Sequence, residues 1–365
     1  MIIGIDGHMI GDKSGGNERY YINILKHLPI DSNDTVYLFV NPGTDVSDLK
    51  SKFRIVEFSS GSAFKRYLFE LNRFCKAYHI EVLHTQYFIP FLRSCKVVCT
   101  IHDICYEHFE GLFTKRDLFR QKLLIPYAAK KANAIFTVSE FSKKDLVDCY
   151  RIDPEKVRIT YNAVNNEFRV LSKNELNESE LRKKYGIGNC PYVLTVGNLQ
   201  PRKNLLRLMD AFVKWKKLTN NSSRLVIVGK KAWLYSDIIE LSRANSDDII
   251  LTDYITTEDL IRLYNAASCF VYPSIFEGFG IPPLEAMACG TPVAVSNTSS
   301  LPEVVGDAGI YFDPYCLEEM VNSLDILMRN TEIRTILIKK GLDRKNNFQW
   351  AKSATIIMNT YHSLL

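Results

Sequence analysis

The 365-residue chain has no Cys-x-x-Cys pair, although it carries nine cysteines. An odd, scattered set argues against a disulfide framework or a structural zinc site and for reduced thiols in a cytoplasmic setting. Cys95 and Cys99 are the nearest pair; on a strand their spacing offers no zinc geometry, and small buried apolar residues is the reading that fits them. A run of roughly eighteen apolar residues, long enough to span a bilayer, is absent. The opening MIIGIDGHMIGDKSGG lacks the basic start and long apolar core of a secretion signal. Charge is nearly balanced, with 46 Lys and Arg against 41 Asp and Glu, so the dense basic stripe of a nucleic-acid binder is missing. There is no Asp-x-Asp triplet, no P-loop and no low-complexity tract.

What is present is an alternation. MIIGID, TVYLFV, FRIVEF, VLHTQ, KVVCTIHD, AIFTVS and VRITYN read as strands separated by helical patterns, and the same grammar restarts with YVLTVG, RLVIVG, IILTDY, CFVYPS, PVAVS and GIYFD. Short β-branched runs alternating with helices mark parallel sheets built from βαβ units. The expected fold class is therefore α/β, with two Rossmann-like domains whose parallel sheets face a central cleft. The expected boundaries are residues 1–170, a linker at 171–190 with a short helix ended by Gly186, and residues 191–349. The helical segment 350–365 is expected to pack back on the first domain. In open sheets of this kind ligands bind beyond the carboxyl ends of the strands.

The loops there carry the candidate chemistry. Arg202 and Lys203 follow YVLTVG and precede a helical pattern starting near Asn204; two cations beside a helix N-terminus suit a diphosphate, although a solvated helix start is the plainer alternative. Gly15 and Gly16 lie between the first strand and a helix starting near Asn17, where glycine lets a backbone approach a ligand. His102 and Asp103 end an interior strand. Ser139 and Ser142 are equal candidates to cap the helix of EFSKKDL, and capping would explain Ser139 without chemistry. In SIFEGFGIPPLEAMACG, Glu277 falls in a glycine loop and Glu285 in the first turn of a short helix ended by Gly290. Carboxylates accept paired hydrogen bonds from sugar hydroxyls, and the amides around Gly278, Phe279 and Gly280 could contact sugar or phosphate.

The stretch YPSIFEGFGIPPLEAMACGTPVAVSNTSSLPEVVGDAGIYFDP, with its Glu-x7-Glu spacing, resembles the GT-B glycosyltransferases of glycosyltransferase family four. VGNLQPRKNLLRLMDAF, LVIVGKKAW, TIHDI, FTVSEFSKKDL and FQWAKSA match the same family in the same order, so the likeness spans the chain. It implies a retaining transfer from a nucleoside diphosphate sugar with no metal and no other cofactor. By motif, Glu277 would hold donor-sugar hydroxyls rather than attack the anomeric carbon, and Glu285 the ribose. Arg202 and Lys203 would hold the diphosphate, Gly16 would approach it, and His102 would lie beside the donor sugar. Asn198 stands where many members carry arginine, and Asn162 in YNAV where an Asn-Gly pair is commoner. Lys230 and Ile255, in GKKAW and TDYITTEDL, are base-pocket candidates.

GGNERYYINIL, HTQYFIP and SLPEVVGDAG most resemble bacterial mannosyltransferases of O-antigen or capsule assembly, which makes GDP-mannose the expected donor; UDP-sugars stay open. The acceptor expected is a glycan or lipid-linked glycan. AFKRYLFELNRFCKAY and LFTKRDLFRQKLLIPYAAKKA mix cations with aromatics and would suit peripheral contact with the inner membrane, or simply form solvated basic faces. A sugar-nucleotide epimerase and a non-catalytic sugar-nucleotide binder are the rival readings.

Overall fold

The computed structural model describes residues 1–11, 15–231 and 235–365. The chain forms two compact units, residues 1–162 with 349–365, and residues 163–348. Each unit contains one fully parallel sheet, as the alternation implies.

The first sheet comprises β1 (Ile2–Asp6), β2 (Thr35–Val40), β3 (Arg54–Glu57), β4 (Val82–Gln86), β5 (Lys96–Thr100), β6 (Ala134–Thr137) and β7 (Val157–Ile159), in the order β3-β2-β1-β4-β5-β6-β7. All five residues of β4 are buried, as befits a strand covered by helices on both faces. Phe39, Leu71, Phe74, Leu83, Val97, Ile135 and Leu146 are among the core side chains on one side. The C-terminal helix Trp350–Ser363 belongs to this unit and packs on the helix Gly16–His27. Its buried residues Trp350, Ala354, Ile357, Met358 and Tyr361 recur at helical spacing, and burying an Ile or Met side chain contributes roughly 2 kcal/mol. Tyr361 also fixes the register: its hydroxyl lies 2.5 Å from His84 Nδ1, while His84 Nε2 meets Thr100 Oγ1 at 2.7 Å. Burial lowers the His84 pKa to about 3, so the ring is neutral and can serve one partner as donor and the other as acceptor.

The second sheet comprises β8 (Tyr192–Val196), β9 (Arg224–Val228), β10 (Ile249–Leu251), β11 (Cys269–Tyr272), β12 (Val293–Ser296) and β13 (Gly309–Phe312), in the order β10-β9-β8-β11-β12-β13. The amphipathic helix Leu205–Thr219 places Leu205, Leu208, Phe212 and Trp215 into its core, against the helix Leu317–Arg329. The segment 171–190, expected as a linker, lies in this unit as two short helices, Lys173–Leu176 and Glu178–Lys184. Ser172 and Glu175 form a capping box at the first. Lys184 and the Tyr185 hydroxyl both bond Asp259, at 2.5 and 2.6 Å, which ties the segment to the domain body. The unit boundary falls earlier, between Asn162 and Ala163. Gly186 does end the second helix region, with φ of 64°.

In both sheets the chain starts in an interior strand, fills one side and then crosses to the other. The reversal lies between β1 and β4 in the first unit and between β8 and β11 in the second. Loops leaving two such strands diverge, and ligands of open α/β sheets bind at that crevice.

Candidate active site

In the second unit the reversal point is flanked by the loops 197–204 and 273–280. The first is anchored by a close backbone approach. Gly197 N donates to Val228 O at 2.8 Å, and a Cβ built on Gly229 would lie 2.0 Å from Gly197 O. Only glycine fits at 229. Pro201–Lys203 then form a 3-10 turn, and Asn204, left-handed with φ of 55°, leads into the helix Leu205–Thr219. Asn204 Nδ2 donates to Pro314 O at 2.8 Å, which holds the turn. The two loops are stitched together where Ile275 N donates to Arg202 O at 3.0 Å and Arg202 to Phe276 O at 3.2 Å.

This stitching brings together three of the residues singled out by sequence. Lys203 Nζ lies 2.6 Å from Glu277 Oε1, and Arg202 lies 3.4 Å from Oε2. Tyr272, at the end of β11, completes the cluster; its hydroxyl accepts from Lys203 Nζ at 2.6 Å and donates to Glu277 Oε1 at 3.0 Å. The Lys203 stem passes over Gly197, where a Cβ would stand 3.2 Å from Cδ. Glu277 is buried, which by itself would raise its pKa, but Arg202 and then Lys203 outweigh burial and hold it at about 2. Burial, reinforced by that carboxylate, pushes the Tyr272 phenol well up, so it remains a donor. Glu277 is therefore not a solvated loop charge.

The rest of the glycine loop is held by serines. Glu277 N donates to Ser299 Oγ at 3.0 Å, and Ser300 Oγ lies 2.9 and 2.8 Å from the carbonyls of Glu277 and Phe279. Gly278 and Phe279 are buried, and Gly280 has φ of 99°, with Leu301 Cδ2 only 2.6 Å from where a Cβ would be. The short helix Ile281–Ala288 follows, with Pro282 and Pro283 in its first turn and Gly290 left-handed after its end. One expectation is corrected here. Glu285 lies beyond the first turn, which contains no acid; it is buried and accepts from the Tyr264 hydroxyl at 3.1 Å, so the helix dipole is not what places it.

Asn198 is exposed between Gly197 and Leu199. Lys230 sits with Nζ 4.4 Å from the centre of the Tyr254 ring, next to the buried Ile255, so the two base-pocket candidates do come from adjoining loops. Ala232 and Trp233, of the same GKKAW segment, lie outside the described residues.

In the first unit, His102 follows β5 and is buried, with Nε2 3.2 Å from Gln86 Oε1 and its ring edge-on to Tyr20 at 4.8 Å. Burial lowers its pKa to about 3, making it a neutral imidazole rather than a cation. Asp103 Oδ1 accepts from Cys105 N at 3.0 Å, a local turn bond. Ser139 accepts from Ser142 N at 2.9 Å and is the cap; Ser142 lies within the helix Glu140–Tyr150. Asn162 is buried at the unit's edge, and its Oδ1 has no hydrogen-bond partner among the described residues.

Gly15 caps the helix Gly16–His27 with φ of 80°. A Cβ on Gly16 would meet nothing within 4 Å, so Gly16→Ala is expected to leave stability unchanged or raise it by up to about 1 kcal/mol. A loss of donor affinity in that stable variant, measured by calorimetry, would report close approach of a ligand; unchanged affinity would remove Gly16 from the site.

Several site residues were not singled out by sequence. Tyr272, Gly197 and Gly229 act through contacts between the ends of neighbouring strands of the sheet. In the first unit Asp6, fully buried at the end of β1, accepts from His8 Nδ1 at 2.9 Å and from the Tyr67 hydroxyl at 3.1 Å. Burial pushes the Asp6 carboxyl up, yet His8 and Arg66 bring it below its usual value. A lone carboxylate ending an apolar strand was the available signal.

Comparison with known proteins identifies the family. The family model described as "Glycosyltransferase Family 4" matches residues 14–168, and that described as "Glycosyl transferases group 1" matches residues 177–344. The chain is 31% identical over 271 residues to O-antigen chain mannosyltransferase B of Escherichia coli, covering 74% of this chain and 71% of that protein. It is 28% identical to the serotype-specific mannosyltransferase WbdA of Escherichia coli over 278 residues, 74% of this chain but 34% of that longer protein. Among solved structures, Anabaena HepE in complex with UDP-glucose superposes with a TM-score of 0.77 at 18% identity over the full length of both chains, a likeness of fold. With two parallel sheets in the GT-B pattern, both family models matched and a relative 31% identical over most of both chains, the chain belongs to the group 1, family 4 glycosyltransferases.

Proposed function

We propose that this glycosyltransferase moves mannose from GDP-mannose, with retention of anomeric configuration, to a lipid-linked glycan in cell-surface polysaccharide synthesis. The observation that carries the donor part is the cluster of buried Lys203 and Glu277 with half-buried Arg202 at the strand reversal of the second unit, beside the N-terminus of the helix Leu205–Thr219. Two cations held by one carboxylate, Lys203 buried and Arg202 partly so, are preorganised: an arriving diphosphate takes their charge at the helix end, and the released carboxylate oxygens turn to sugar hydroxyls. The leaving diphosphate is then stabilised by Arg202, Lys203 and free helix-end amides, and one of its oxygens takes the acceptor proton. Glu285 is assigned to the ribose, Lys230 and Ile255 to the base, Asn198 to the phosphate loop, and neutral His102 to the donor sugar. Mannose as the sugar rests on the similarity to O-antigen chain mannosyltransferase B.

The membrane part rests on the first unit. Phe64 and Phe69 are exposed near Lys65 and Arg73, and Phe119 and Leu123 are exposed on the helix Lys115–Lys131 near Arg116 and Arg120. Exposed aromatics flanked by cations suit an anionic bilayer surface. No helix among the described residues is long and apolar enough to cross a membrane.

A thermal-shift panel of GDP- and UDP-sugars tests the donor. GDP-mannose at a hundred times its Kd is expected to stabilise the protein by about 2.7 kcal/mol. A shift with UDP-sugars alone would overturn the GDP assignment, and donor turnover without glycan product would favour an epimerase or hydrolase.

A further inference from the structure

A second cluster of reactive side chains lies in the first unit, on other elements than His102 and Gly16. The short helix Cys105–His108 ends beside the helix Glu140–Tyr150, on which Asp145 and Cys149 are one turn apart and share a face. His108 Nε2 lies 2.7 Å from Asp145 Oδ1, and Cys149 Sγ lies 3.6 Å from the same oxygen. One donor atom from each residue lies within 4.8 Å of the other two. We propose that His108, Asp145 and Cys149 form a binding site for a borderline-soft divalent cation, zinc being the best match, with the fourth position open to water.

Three observations support it. A nitrogen, an oxygen and a sulfur donor together favour zinc or cobalt over magnesium or calcium, which take oxygen sets. Tetrahedral zinc with bonds of about 2.0–2.3 Å places its donors roughly 3.3–3.7 Å apart; the sulfur–oxygen separation already fits, and the nitrogen–oxygen hydrogen bond has to open by well under one bond length. Asp145 Oδ2 is buried and has no hydrogen-bond partner among the described residues, an arrangement that costs free energy unless a nearby cation compensates. Cys149 is exposed and the His108 side chain is 37% exposed, so an ion can reach the donors from solvent. On binding, the Cys149 S–H bond is replaced by a sulfur–metal bond and the proton passes to solvent. The bound ion would tie the segment that begins at His102 to the helix Glu140–Tyr150.

The test is a titration of the chelator-treated full chain with Co2+, followed by its thiolate-to-cobalt charge-transfer absorption and by competition with Zn2+. One equivalent should bind with that band, and Zn2+ should displace it. Cys149→Ser should abolish the band while Cys316→Ser keeps it, and His108→Ala should weaken binding about tenfold or more. Absence of binding at micromolar cobalt, or a band unchanged in Cys149→Ser, would overturn the proposal; circular dichroism of each variant checks that the fold is retained.

Discussion

Glu277→Gln is expected to lower glycosyl transfer by about a hundredfold or more and to destabilise the second unit by about 3 kcal/mol. The side chain keeps its shape and loses its charge, so Lys203, itself buried, and Arg202 are left facing a neutral amide. A buried cation deprived of its counter-ion costs more than the pair contributed net. The titration of Glu277 gives a figure of the same order. Its pKa is about 2 in the folded protein against an ordinary 4.5, which corresponds to roughly 3 kcal/mol. Because the folded-state value is depressed, this stabilisation is complete above about pH 4.5 and is lost as the pH falls toward 2. Denaturant titrations should therefore show a gap between wild type and Glu277→Gln that is constant near neutrality and closes below pH 4.5. A gap independent of pH would mean that the ion pairs are not its source. GDP affinity should not fall in this variant, since the lost carboxylate competes with the diphosphate for both cations.

Gly229→Ala is expected to be the most destabilising glycine-to-alanine change among the described residues of the second unit, at about 3 kcal/mol or more. The added carbon would lie 2.0 Å from Gly197 O, 2.6 Å from its carbonyl carbon and 3.2 Å from Asn198 Cα, all backbone atoms that no rotamer change can move. The ends of β8 and β9 would have to part, loosening the 2.8 Å bonds from Gly197 N to Val228 O and from Leu199 N to Lys230 O. The loop so displaced carries Arg202 and Lys203, so nucleotide affinity should fall together with the denaturation midpoint. A variant with wild-type stability and wild-type GDP binding would show that the strand ends are not the rigid platform described here.

Much of the architecture was legible because the chain states it locally. VLHTQ is β4 residue for residue, and TVYLFV is β2; short runs rich in β-branched and aliphatic or aromatic residues suit the strands of a parallel sheet. KVVCTIHD was also visible as a strand, but β5 ends at Thr100 because the chain then leaves the sheet to carry His102. The site was legible as a set of loops and not as a set of bonds. Glu277 and Lys203 are 74 positions apart, and their 2.6 Å contact arises only because β8 and β11 are neighbours at the reversal of the sheet. The segment 171–190 is less legible: its charges suit a linker with one short helix, whereas Lys184 is paired with Asp259 of another helix. Glu285 was read from proline position alone, which placed the helix start too near to it.

The central claim is that Arg202 and Lys203 receive a nucleoside diphosphate while Glu277 receives its sugar. Calorimetric titration of GDP and of GDP-mannose into wild type, Lys203→Ala and Glu277→Gln tests it most directly. Lys203→Ala is expected to weaken both ligands about tenfold or more, and Glu277→Gln to keep GDP binding but lose the extra affinity GDP-mannose has over GDP. Undiminished GDP binding by a folded Lys203→Ala, or an unchanged mannose increment in Glu277→Gln, would contradict it.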